Sequence, residues 1–512
     1  MTVTSFYFLV FIVIGAAIYY IVPKKVQWLI LLGLSFVFYY FSAVPYTIIY
    51  LLLSTLIAYI ATIAIEKYRD KRTNIAVIAC TAIIFNIVIW FLLKGNSFWS
   101  HGVLLIEKTF PSVHFNMSVL HLTAAFGMGY YTAQVIGYIL DCYWEISKPQ
   151  KNPFKLFLFV CFFPQLTVGP ISKYSQLECL YREHRFSYKN ICFGSQRILW
   201  GMFKKLVVSD RIAIITTAIW ADTISYSGVW PWIAVFLYPI QLYGDFSGCV
   251  DIILGTAEIF DIKLPENFNN PFKSRSVQEF WQRWHITLGT WAKDYVYYPV
   301  LKSKYLISIG KWSKKHFTKR IAKLIPWTLG MGVLWLVMGI WHGSVRHIAG
   351  VSLWYWGILV LGEFFGSVFK NMVEYLNIKS ESYSWVLLQR IRTYAIFSAG
   401  SVFFAAESFR DALFRYQTLF ASIKNLNPWT LFDGTVIRLG VTWGDVNIII
   451  LGIFLLHKID TLREKEGMAR EWMQKQIVVF RWGAWISLFF LVLIYGLYGP
   501  GYEASQFIYQ GF

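Results

Sequence analysis

The sequence predicts an all-α, polytopic integral membrane protein, with about ten to twelve transmembrane helices and re-entrant segments among them. Three observations lead there. Apolar residues make up 57% of the 512 and charged residues only 15%, whereas a soluble domain carries roughly a quarter charged. Apolar stretches of membrane-crossing length recur along the chain. Aromatic residues reach 19%, with 23 Trp, a content that suits two interfacial belts at headgroup depth.

The elements follow in order. Stretches near 6–22, 26–42, 45–65 and 75–93 are long enough to cross, and a broken one follows at 117–143. Further spans are expected near 192–222, 228–260, 324–343, 351–370, 390–408, 446–458 and 479–498. The first stretch lacks a basic n-region and a small-residue cleavage site, so it reads as a retained span. Lys24–Lys25 and Glu66–Arg72 are basic-rich turns, whereas the connection near Ser42 is uncharged. That alternation places the N-terminus outside. The charge-dense stretch His457–Gln476 is expected in the cytoplasm, and the tail after Gly499, with one Glu and no Lys or Arg, outside. Both termini are therefore expected outside, and the location is the cell membrane. The chain reads as one membrane-embedded domain: N-terminal helices over 1–145, a core over 146–410 and C-terminal helices over 411–512.

A net charge of +19 would suggest nucleic acid in a soluble protein, but here the positive residues lie mostly between spans. No nucleic-acid partner is expected. The segment Lys302–Lys323 holds eight Lys/Arg and no acid, and reads as a cytoplasmic loop able to meet anionic lipid headgroups. Six scattered cysteines show no CxxC or metal-type spacing, so neither a disulfide framework nor a metal site is expected.

Two segments read as partial spans. Phe157–Lys173 is short and carries Pro164, Gln165, Gly169 and Pro170. Val277–Val300 mixes three Trp with Gln278, Arg283, His285, Lys293 and Asp294. Polar or broken segments at membrane depth are tolerated inside the protein or along a watery cavity, so both are candidate re-entrant elements.

Chemistry-bearing residues cluster in three places. His342 ends an apolar run that begins after Lys323, which puts it about 28 Å along a helix from the basic segment. Trp335, Met338, Gly339 and His342 share one helix face, and Gly339 is expected to leave room beside the histidine. Two readings stand: an interfacial residue bonded to a carbonyl, or a general base with an ordinary pKa near 6.5. In Gln278–His285, a continuous helix would put Gln278, Trp281, Trp284 and His285 on one face and pair Glu279 with Arg283. Such a face either binds a polar ligand or marks headgroup depth. In Tyr238–Asp251, Asp245 and Asp251 are intramembrane carboxylates with a functional or helix-linking role, and Gly244 and Gly248 point to close helix packing. The run Pro265–Pro271 suits a rigid turn, and His114 and His121 read as interfacial. No P-loop, dinucleotide fingerprint, GxSxG or HExxH motif stands in a plausible context.

Taken together the segments resemble the membrane-bound O-acyltransferase family, in its bacterial alginate O-acetyltransferase-like branch. The stretches that carry the resemblance are Phe162-Phe163-Pro164-Gln165-Leu166 with Gly169-Pro170-Ile171, and Tyr243-Gly244-Asp245-Phe246-Ser247-Gly248. They continue with Phe268–Phe272, Phe280–Ile286, Asp294–Tyr297 and Trp341-His342-Gly343. The resemblance implies helices around a central catalytic chamber, with His342 and His285 catalytic. It adds Gln278, Trp281, Trp284, Asp245, Ser247, Gln165 and Trp341 as candidates for the substrate site. Two departures stand out: no histidine follows Trp356-Gly357, and Phe403-Phe404-Ala405-Ala406 replaces a Phe-Phe-Arg-Ala pattern. The implied reaction moves an acetyl group from cytoplasmic acetyl-CoA, its phosphates near Lys302–Lys323, to a hydroxyl reached from outside. His342 would act as base, and His285 or Gln278 would orient or polarise the thioester carbonyl. No permanently bound cofactor is expected. The partners implied are a polysaccharide acceptor, an exported SGNH-type acetyltransferase and membrane lipids. Alternatives are D-alanyl transfer toward teichoic acid, a flippase or transporter using intramembrane His and Asp as proton relays, and a purely structural scaffold.

Overall fold

Backbone in hydrocarbon must satisfy its own hydrogen bonds, and an α-helix does so within one segment. The computed structural model describes residues 1–94, 126–466 and 469–498, which form helices and, among the described residues, a single isolated antiparallel bridge, Phe268–Trp284. The chain runs α1 (Phe6–Ile21), α2 (Gln27–Ser42), α3 (Ile48–Lys67), α4 (Arg72–Lys94) and α5 (Met128–Tyr143). Next come α6 (Pro153–Cys161), α7 (Tyr188–Met202), α8 (Asp210–Ala221) and α9 (Trp230–Ile259). The short α10 (Val277–Arg283) and α11 (Ile286–Ala292) precede α12 (Lys304–His316) and α13 (Lys319–Trp341). The chain closes with α14 (Trp354–Tyr375), α15 (Tyr383–Ala405), α16 (Phe409–Ser422), α17 (Trp443–Glu466) and α18 (Val478–Tyr495).

Seven helices among the described residues are long and apolar enough to cross a membrane, and α1 is a shorter apolar one. The larger number expected from sequence also counts 192–222, 390–408 and 446–458. Outward faces are apolar, as on α18, where Val479, Phe489 and Ile494 are exposed. Hydroxyls inside two of the spans are hydrogen-bonded: Ser35 Oγ donates to Leu31 O at 2.7 Å, and Ser54 Oγ donates to Asn86 Oδ1 between α3 and α4. The lower part of the 117–143 stretch lies outside the described residues, as do His114 and His121.

Packing divides the chain into two compact units. One holds Met1–Met202 and Gly248–Pro265, the other Phe203–Ser247 and the chain from Glu266 onward. In the first unit, Phe11, Phe38 and Phe260 close on Phe163, with ring centroids 5.3–5.9 Å apart. Helix α7 lies against α9 on glycine: a Cβ at Gly201 would sit 2.5 Å from Gly248 O, and one at Gly194 would sit 2.5 Å from Gly255 O. The glycine packing expected of Gly248 is thus present, and its partner is also glycine. The partial span Phe157–Lys173 is a short helix followed by buried irregular backbone. Gln165, 1% exposed there, donates Nε2 to Phe159 O at 3.2 Å, so it satisfies a carbonyl of α6.

In the second unit two sequence expectations change. The stretch 192–222 is helical up to Ala221 but not one regular helix: a π-helical stretch, Phe203–Ser209, joins α7 to α8 and buries the consecutive Lys204 and Lys205. The basic stretch 302–323 is not a loop. It forms α12 and the start of α13, with Ser313 Oγ donating to Ala322 O at 3.0 Å and Tyr305 and Trp312 exposed. Leu306, Ile309 and Ser313 recur at helical spacing and are its least exposed positions, with Gly310 among them, while the lysines stay exposed.

Candidate active site

The site lies in the second unit and is built from two chain reversals. The first ends α13. His342 is the C-cap residue of that helix, and Gly343 follows at φ 85°, in the left-handed region a glycine enters without strain. The chain then turns back through a π-helical stretch, Ile348–Leu353, which packs on α13: Ser352 Oγ donates to Trp335 O at 2.7 Å. Gly339 makes this return possible, since a Cβ there would lie 2.0 Å from Ser352 Oγ and 3.0 Å from Ile348 Cα. The room expected beside the histidine is therefore filled by the protein's own backbone.

His342 is 7% exposed, and the rings around it are aromatic. Trp341 stands edge-on at 4.9 Å, Phe404 at 5.2 Å and His347 at 5.4 Å between centroids. His347 is fully buried, and its Nδ1 lies 2.7 Å from Ser344 Oγ. Sequence reading passed over His347. Its signal was a second histidine five residues past His342, which becomes legible only when the backbone folds back.

The second reversal separates α10 from α11. Helix α10 stops at Arg283, Trp284 is extended, and His285 sits at φ 47°, ψ 52°. A single helical face carrying Gln278, Trp281, Trp284 and His285 does not form, because the helix ends before the last two. Left-handed backbone at a non-glycine residue is strained and persists only where neighbours hold it. Here the 267–269 stretch does so: Asn269 N donates to Arg283 O at 2.9 Å, Ile286 N donates to Asn267 O at 3.0 Å, and Phe268 bridges Trp284. The rigid turn expected over 265–271 is this clamp. The Glu279–Arg283 pair is present at 2.9 Å.

His285 is 4% exposed and faces Phe246 at 4.8 Å and Trp341 at 6.1 Å. Trp341 thus stands between the two reversals, within ring contact of both His285 and His342. The other sequence candidates fall elsewhere. Trp281 packs edge-on to Trp335 at 5.0 Å and Tyr355 at 4.7 Å, one aromatic step from the histidine helix. Trp284 is buried among Phe268, Phe280 and Phe397, which makes it core. Gln278 is exposed on α10. Gln165 belongs to the first unit.

Asp245 and Ser247 face a buried lysine pair rather than an open site. Lys205 Nζ lies 2.6 Å from Asp245 and 2.8 Å from Asp210, and Lys204 Nζ donates to Ser247 Oγ at 2.9 Å. Asp251, in the first unit, pairs with Arg197 at 2.8 Å. Both lysines were visible in the sequence as a charged doublet in an apolar run. Asp210 lies five residues past Lys205, but the partners on α9, Asp245 and Ser247, were not legible as such. Among the described residues, no group of three His, Cys, Asp or Glu side chains could hold a metal ion.

Two buried histidines, one at the end of α13 and one at the reversal between α10 and α11, thus stand among apolar helices. Residues 74–406 match the model of the membrane-bound O-acyltransferase family, and the chain belongs to that family. It is 30% identical to a peptidoglycan O-acetyltransferase of Helicobacter pylori over 67% of this chain and 61% of that protein. It is 25% identical to a probable alginate O-acetylase of Azotobacter vinelandii over 84% of this chain and 79% of that protein. A teichoic acid D-alanyltransferase of Bacillus subtilis is 26% identical over 58% of this chain and 71% of its own length. The protein is a multi-pass membrane protein of that family.

Proposed function

We propose that the protein moves an acetyl group from cytoplasmic acetyl-CoA to a hydroxyl on the outer side of the cell membrane, for O-acetylation of a cell-wall or extracellular polysaccharide. The observation that carries this reading is that His342 and His285 are both buried and both within ring contact of one group, Trp341. His342 accepts the proton of the acceptor hydroxyl as its oxygen attacks the thioester carbonyl. The C–O bond forms, the C–S bond breaks, and the proton passes from His342 to the departing thiolate, leaving free thiol and neutral imidazole. The acyl arm enters from the basic side where α13 begins and the acceptor from the outer side, where both termini also lie. An exported SGNH-type acetyltransferase completes delivery to the polymer. No permanently bound cofactor takes part, and Gln278, exposed on α10, has no role in this scheme.

D-alanyl transfer is less favoured, since the D-alanyltransferase relative aligns over 58% of this chain against 84% for the alginate O-acetylase relative. The transporter reading takes intramembrane His and Asp as proton relays, and of these Asp245 and Asp251 each lie in an ion pair. The test is acetyl transfer from labelled acetyl-CoA by the protein purified in lipid nanodiscs. Loss of the general base is expected to cost about 10²- to 10⁴-fold. H342A that transfers at the wild-type rate overturns the reading.

A further inference from the structure

Asn267 is fully buried, and its side-chain oxygen collects three contacts: His285 Nδ1 at 3.2 Å, Thr287 N at 3.1 Å and Thr287 Oγ1 at 2.9 Å. The backbone N–H of Thr287 can only donate, so the atom facing it must be the amide oxygen and not the amide nitrogen. The same oxygen faces His285 Nδ1. An oxygen that only accepts requires a donor there, so Nδ1 carries the ring proton, and in the neutral ring Nε2 carries the lone pair. The backbone repeats the restraint, since Ile286 N donates to Asn267 O at 3.0 Å and holds the left-handed turn on which His285 stands.

We infer that Asn267 is a positioning residue that locks His285 as a hydrogen-bond acceptor toward substrate. This rests on the reading of His342 and His285 as the reacting pair and changes one part of it. A neutral His285 held this way does not donate to the thioester carbonyl or its developing oxyanion. It receives an O–H or N–H, and the reaction offers both: the acceptor hydroxyl and the amide N–H groups of the pantetheine arm of the donor. The shared chemistry is a polar hydrogen presented to Nε2. The ring contacts Phe246 from α9, Trp341 from α13 and Asn267 from the 267–269 stretch, with Thr287 on the same Asn267 oxygen, and none of these four side chains titrates near neutral pH.

The experiment compares wild type, N267L, N267D and H285A in nanodiscs, with melting temperature, kcat and KM for acetyl-CoA, and the pH profile of kcat/KM. N267L removes the acceptor oxygen at nearly constant volume and is expected to lower kcat/KM by about 10- to 100-fold, the scale on which partners that orient histidines act in metal sites. A fall in kcat identifies the acceptor hydroxyl as the group His285 receives, and a rise in KM for acetyl-CoA identifies the arm amide. N267D keeps the oxygens but adds a charge that favours the doubly protonated ring, which has no lone pair. Its acid limb is therefore expected to move at least one unit toward higher pH, a change a merely structural asparagine would not produce. Wild-type kcat/KM in folded N267L, or an unmoved acid limb in N267D, overturns the inference. Should N267L fail to fold, the N267D limb decides alone. H285A with wild-type activity would instead remove His285 from the reaction, so failure of the underlying reading is told apart from failure of the Asn267 role.

Discussion

Replacing Lys205 by methionine tests whether the buried charges shared by the π-helical stretch, α8 and α9 hold the structure together. Lys205, Asp210 and Asp245 are each no more than 3% exposed, and the single ammonium lies 2.8 Å and 2.6 Å from the two carboxylates. Removing one partner of a buried ion pair leaves an uncompensated charge and costs about 3–5 kcal/mol. Here one ammonium serves two carboxylates, and that range applies to its deletion. Large domains lose roughly 2–4 °C of melting temperature per kcal/mol, which puts the expected drop at roughly 6–20 °C. The assay is tryptophan fluorescence on heating in nanodiscs, with acetyl transfer measured well below the transition. Neutralising all three groups, as K205M/D210N/D245N, should recover much of the loss, because the penalty lies in the charge left behind. K205M melting within about 2 °C of wild type would show that the triad contributes little and that Asp245 owes its place to something else.

Other expectations follow from single contacts. Gly339→Ala puts a methyl 2.0 Å from Ser352 Oγ. Overpacking of that kind costs about 1–3 kcal/mol, so the melting temperature should fall together with acetyl transfer as the His347 segment shifts. Glu464, beyond the apolar part of α17, is pushed up by partial burial, but hydrogen bonds from Lys273 and Arg283 outweigh that and hold its carboxyl below the ordinary 4.5. A depressed folded value gives stability that is present above the ordinary value and lost as pH falls through the folded one. Acid melting of wild type should therefore show a decline below about pH 4.5 that E464Q lacks, and identical acid profiles would contradict it. Lys304, Lys311 and Lys315 line one stripe of α12 beside exposed Tyr305 and Trp312. Each lysine near an anionic leaflet contributes about 1 kcal/mol, so K304Q/K311Q/K315Q should lose most of the stabilisation that wild type gains from phosphatidylglycerol over phosphatidylcholine. A triple variant that keeps this gain rules the contact out.

Local pattern carried much of the architecture. Hydropathy placed α1 to α4, α9, α13, α14 and α18 to within a few residues, because a span must be a near-continuous apolar run of fixed length. It failed where polar residues are admitted by a partner elsewhere. The π turn around Lys204 and Lys205 is one case, since the carboxylate of Asp245 that accommodates it comes from another helix. The basic stretch before α13 is another. Its charge suggested a loop, yet Leu306, Ile309 and Ser313 return at helical spacing and find α13 to rest on. In the site, His342 stood out as a histidine in an apolar span and His285 as part of the Gln278–His285 cluster, and the family resemblance gave both a catalytic role, whereas His347, Phe404 and Asn267 received none.

By itself, then, the sequence determined that this chain is a many-span helical membrane protein carrying two notable histidines, since length, hydropathy and the cost of a polar group in hydrocarbon are properties of short segments. Tertiary structure alone decided what each histidine presents. The strained turn at His285 exists because the 267–269 stretch clamps it, and the ring tautomer follows from an oxygen 18 residues away. Gly339 reads as empty space along one helix, but becomes the seat of Ser352 once the chain folds back past His342. Hydrogen-bond direction and close approach are set by pairs of atoms, and those pairs are formed only when distant segments meet.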